Sequence, residues 1–161
     1  MKIILYFSVA VICLGFAVGC KKSSSYSPLG THQFSGTCDF IFTGFVSFPP
    51  AADSNVVDSF TTVITKSSSP DSSSYLLLPV QLQTGPWGEP YLIFATTSES
   101  YASPVAIQVT DTLLTIPSQL PISGMGISID GTGSIVNGKI TLSYHSNYRN
   151  YNKYSTVVST R

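Results

Sequence analysis

From position 34 the chain alternates apolar and polar residues with a period of two. Phe34, Cys38, Phe40, Phe42, Val46 and Phe48 fall on one face, and Ser35, Thr37, Asp39, Thr43 and Ser47 on the other. Such alternation predicts a long half-buried strand. Gly36 and Gly44 lie on its apolar face, where a missing side chain marks a bend or bulge, and Pro49-Pro50 ends it. Residues 56–66, rich in Val, Thr, Phe and Ile, predict a second strand, and the Ser/Pro/Asp run 67–72 a loop. Leu76, Leu78, Val80 and Leu82 then alternate with Tyr75, Leu77, Pro79 and Gln81; Pro79 has no N–H to give a ladder, so this strand is an edge or a bulged one. A Gly/Pro turn at 85–90 leads to a short strand over 91–96 that is apolar on both faces.

Further strands are expected over 105–110 and 113–116, at Ile127 to Asp130, where Ile127 and Ile129 alternate with Ser128 and Asp130, and over 134–136. Asp130-Gly131-Thr132-Gly133 reads as a turn, with the wrong order for an aspartic protease loop and too few carboxylates for a calcium loop. Pro117 and Pro121 leave room for no more than a short helical turn between 113 and 120. Asn137-Gly138 lies between 134–136 and 139–142 and predicts a type I′ hairpin, whose two central residues need positive φ. The Tyr/Asn-rich stretch 146–153 reads as a loop and 154–160 as a final strand. The sum is an all-β fold, an antiparallel meander of about eight strands, barrel-like or sandwich. The short connections favour a meander that curls toward a barrel.

The N-terminus has a different pattern. Lys2 precedes an apolar run over 3–16, broken only by Ser8 and Gly15, and Ala17, Val18 and Gly19 supply small residues. This is a secretory signal pattern. Ala17-Val18-Gly19-Cys20 resembles the lipobox of bacterial lipoproteins, with Ala17 where Leu is favoured. The resemblance implies that the Cys20 thiol is acylated and that cleavage makes Cys20 the first residue. Ordinary secretory cleavage after Gly19 and a membrane-spanning anchor are the alternatives. The second would need about 20 apolar residues, close to what the run offers. The organisation expected is therefore a signal peptide over 1–19, a lipidated Cys20 with a Ser-rich tether over 20–33, and one β-domain over 34–161. Lys21, unlike an Asp after the lipidated Cys, favours the outer membrane, and the absence of an acidic tract favours its periplasmic face.

Composition adds exclusions. Charged residues make up only 10% of the chain and the formal net charge is zero. Nothing here neutralises a phosphate backbone, so nucleic acid is not an expected partner. Cys13 lies in the signal segment and Cys20 is the lipid site, so Cys38 is alone in the domain and no disulfide framework is expected. Its place on an apolar strand face marks it as buried and inert.

The stretch 114–119 (LTIPSQ), followed by 127–135 (ISIDGTGSI) and 137–144 (NGKITLSY), resembles small Gram-negative lipoproteins with a lipocalin-like, or calycin-like, β-domain. The resemblance implies fold and location, and its motif is structural.

No nucleophile elbow, Walker loop, HExxH or CxxC occurs in the domain. The acidic residues are scattered, and His32 and His145 are far apart, so no metal site, cofactor or enzymatic activity is expected. Two aromatic groups stand out as candidate binding residues. Trp87 sits in a Gly/Pro turn with Tyr91 and Tyr101 nearby, and Tyr148, Arg149 and Tyr151 belong to a stretch that also holds Tyr144, His145 and Tyr154. Tyr, Trp and Arg combine large contact area with a polar end, which suits recognition. Two functions are expected: a non-enzymatic module holding a small apolar ligand or lipid inside a lipocalin-like domain, or an interaction lipoprotein that binds an envelope protein or glycan through exposed aromatics.

Overall fold

The computed structural model describes residues 27–44, 56–68 and 75–160. The expected signal peptide, Cys20, and the positions Val46 and Phe48 lie outside them. The strands are β1 (Gly30–Phe42), β2 (Val56–Lys66), β3 (Tyr75–Leu78), β4 (Val80–Thr84), β5 (Pro90–Phe94), β6 (Val105–Thr110), β7 (Leu113–Gln119), β8 (Ile127–Val136), β9 (Lys139–Tyr148) and β10 (Tyr151–Thr160). Eight of them close an antiparallel barrel in the order β1-β10-β9-β8-β7-β6-β3-β2, and β4 and β5 pair separately as a hairpin. The wall is thus a barrel rather than a sandwich.

Period-two burial makes this wall. Phe34, Cys38 and Phe40 of β1 are buried, as are Phe60 and Ile64 of β2, Ile140, Leu142 and Tyr144 of β9, and Val157 of β10. β1 pairs with β2 on one side and β10 on the other, which closes the ring. Gly36 explains how it closes. A Cβ there would collide with the Thr156 carbonyl of β10, so only glycine lets the two strands approach this closely. The Asn137-Gly138 turn has the expected geometry, with φ of 50° and 78°, and joins β8 to β9.

Five elements differ from the sequence reading. Asp130-Gly131-Thr132-Gly133 is not a turn but the middle of β8, paired with His145 to Leu142 of β9, and its glycines are there because a Cβ would strike the Ser143 and Thr141 carbonyls. β1 begins at Gly30, so the last positions expected in the tether pair with β2 and β10, and His32 is buried. Residues 113–119 form a strand throughout; the register of β7 against β8 shifts between Ile116 and Gln119, and that irregularity accommodates Pro117. Residues 146–153 are not a loop. β9 runs to Tyr148, β10 starts at Tyr151, and only Arg149 and Asn150 turn between them, with Arg149 at φ 57°. The stretch looked like a loop because its inward positions are polar; Ser146 is buried, and its hydroxyl accepts the Leu92 N–H of the hairpin at 3.0 Å. Finally, Pro79 divides one expected strand into two. Leu78 still pairs with Val105 in the wall, whereas Val80 pairs with Phe94 in the hairpin.

Candidate functional site

Strand direction sorts the barrel into two ends. At one end β1 begins, β10 finishes, and the β6–β7 and β8–β9 turns meet. At the other lie the end of β1, the exit at Pro79, loop 95–104, the β7–β8 connection and the β9–β10 turn. The hairpin serves this second end.

β5 packs inside it. The Phe94 ring lies 5.6 Å from Phe60 of β2 and 5.0 Å from Tyr144 of β9, and Tyr91 meets Phe40 of β1 edge-on at 5.2 Å. Val80, Leu92 and Phe94 are fully buried. The hairpin therefore puts its own side chains into the interior of this end of the barrel, where an open calyx would hold a ligand.

Beneath Tyr91 is a buried polar cluster. Lys153 of β10 donates to Asp58 of β2 at 2.7 Å and to the Tyr144 hydroxyl at 3.1 Å, and Tyr144 donates to the same Asp58 oxygen at 2.8 Å. The Lys153 ammonium also lies 4.9 Å from the Tyr91 ring centre and 5.2 Å from that of Tyr144. Lys153 is 2% exposed and Asp58 7%, so each charge depends on the other. Burial, reinforced by the Asp58 carboxylate, pushes the Tyr144 phenol well above its usual range. Burial also raises the Cys38 and Tyr91 groups. The Cys38 thiol is thus kept protonated, the opposite of what a nucleophile needs. Lys153 and Asp58 were missed in the sequence, although both carry a readable sign. Asp58 shares the parity of Phe60 and Ile64, and Lys153 that of Val157.

All six candidate binding residues come to this end, in separate groups. Trp87 in the hairpin turn lies 6.0 Å from Tyr151, which in turn lies 4.8 Å from Phe42. The Glu89 carboxylate accepts the Trp87 N–H at 2.9 Å and fixes the turn. The Arg149 guanidinium lies 5.1 Å over the Tyr148 ring. Tyr91 faces inward and belongs to the polar cluster. Tyr101 is exposed, apart from the others, and its hydrogen bond to Glu99 raises its phenol. Leu120 and Met125 are exposed at the same end.

The outer wall carries a polar groove of about 290 Å³, lined among others by Thr37, Asp39, Asp130, His145 and Tyr154. His145 stacks on Tyr154 at 4.4 Å, its Nδ1 lies 3.4 Å from Asp130, and its Nε2 lies 2.8 Å from the Asn152 side-chain oxygen. His145 therefore points away from the interior where Cys38 sits. Among the described residues, no group of three or more His, Cys, Asp and Glu is placed to hold a metal ion. Comparison with models of known families, with curated proteins and with solved structures gives no match.

Proposed function

We propose that the chain is an exported lipoprotein, held in the outer membrane by an acylated Cys20, whose barrel is a non-enzymatic binding module. It recognises an envelope protein or glycan through the aromatic residues at the hairpin end. The observation that carries this reading is the division of labour within the hairpin. Its inward side chains, Val80, Leu92 and Phe94, are fully buried in the barrel, while its turn presents Trp87 beside Tyr151. Paired aromatics on a fixed turn offer large contact area at little cost in conformational entropy, a property of binding hot spots. Replacing Trp87, Tyr148 and Tyr151 together by Ala is expected to abolish capture of the partner from solubilised envelopes while the thermal unfolding transition persists. Unchanged capture contradicts the reading.

A second reading, a small apolar ligand or lipid inside the barrel, is favoured by the apolar interior lined by Phe34, Phe60, Ile107 and Leu114. It requires the hairpin to withdraw, pivoting at Pro79 and in loop 95–104.

A further inference from the structure

We propose that one flank of the opposite end of the barrel rests on the membrane surface, so that the hairpin end faces away from it. The inference depends on the lipoprotein reading above and adds an orientation to it. Nine residues separate Cys20 from Gly30, where β1 enters the wall. Even fully extended, this connection spans only about 35 Å. The anchor thus keeps the end of the barrel that carries Gly30 within that reach of the lipid, and the surface of that rim favours its contact with the membrane.

That rim carries a patch suited to the task. Leu113 opens β7 at 62% exposed and Val136 closes β8 at 57% exposed. Leu113 pairs with Ser134, two positions before Val136, so the two apolar side chains are diagonal neighbours on the outer face. The Ile135 N–H donates to the Thr112 carbonyl at 2.8 Å and ties the β6–β7 turn to the end of β8. Val136 pairs with Lys139, and Thr141, on the same face, pairs with Val158, which is exposed as well. Lys139 on this flank and Lys66 at the end of β2 are both exposed and suit anionic headgroups. Apolar tips flanked by lysine form an interfacial arrangement: the tips enter the headgroup boundary while the ammonium groups stay at its surface. Leu120, Met125 and Tyr101, exposed at the far rim, are carried away from the bilayer by the same geometry.

Trp87, the chain's one tryptophan, is a built-in far-end probe. Full-length protein is reconstituted in phosphatidylethanolamine–phosphatidylglycerol vesicles doped with lipid brominated near the headgroups. Three forms are compared: wild type, Leu113→Trp in a Trp87→Phe background, and Val136→Trp in the same background. Emission from positions 113 and 136 is expected to fall by about half, and that from Trp87 to stay nearly unchanged. Intact mass of the same samples reads acylation. No acyl mass on Cys20 overturns the anchor and this orientation with it. Acyl mass with positions 113 and 136 quenched no more than Trp87 overturns the orientation alone.

Discussion

Lys153, Asp58 and Tyr144 show how the interior tolerates charge. Lys153 donates a hydrogen bond to Asp58 at 2.7 Å, and Tyr144 bonds to both. Removing one partner strands the other charge in a low-dielectric core. Lys153→Met is therefore expected to cost about 3–5 kcal/mol in urea unfolding, with Asp58→Leu added to it restoring most of the loss. A double variant as unstable as the single one would show that the pair does not act as a unit. Tyr144 supplies a pH dependence. Its folded pKa lies above the ordinary 10.0, so the neutral phenol is the form the fold favours. That contribution is fully present below the unfolded value and is lost as pH rises through the folded one. Phenolate absorbance should show a late component that coincides with alkaline unfolding by circular dichroism and is missing in Tyr144→Phe. Cys38, buried with its thiol raised, should react with a disulfide reagent only at the rate of unfolding.

The β4–β5 hairpin is the element on which the account turns. Phe94 is fully buried against Phe60 and Tyr144. Phe94→Ala should cost about 3–5 kcal/mol if the hairpin is part of the core. Its amides should then exchange with solvent as slowly as those of the wall strands; fast exchange confined to 80–94 would mark it as a lid instead. The alternation of β1 and the start of β8 was legible in the sequence because inward positions such as Phe34, Phe40, Ile127 and Ile129 are large and apolar, and β2 was legible from its Val, Thr, Phe and Ile. The middle of β8 was not, since the positions continuing its inward face are Gly131 and Gly133. The Asn137-Gly138 turn was legible because its φ values demand those residues. The β9–β10 turn was not, since Ser146 and Lys153 point inward and are matched by Leu92 and Asp58, partners remote in sequence. Pro79 announced an interruption, but not that the interrupted strand leaves the wall and enters the barrel.

At the scale of the whole molecule the barrel has two ends with different chemistry. One receives the chain from Cys20 and carries Leu113 and Val136; the other gathers Trp87, Tyr148, Arg149 and Tyr151. The aromatic candidates were legible as residue types, yet their convergence depends on barrel closure, which brings the hairpin turn to the β9–β10 turn across more than sixty positions of sequence. The central claim is that the hairpin occupies the interior of its end of the barrel and that recognition takes place outside it. Native mass spectrometry of the protein purified from envelopes in mild detergent tests this most directly. The account predicts the mass of the polypeptide with its acyl groups and nothing more. A reproducible additional mass of an apolar small molecule or lipid, lost on denaturation and retained in the Trp87, Tyr148 and Tyr151 triple variant, would contradict it in favour of a ligand inside the barrel.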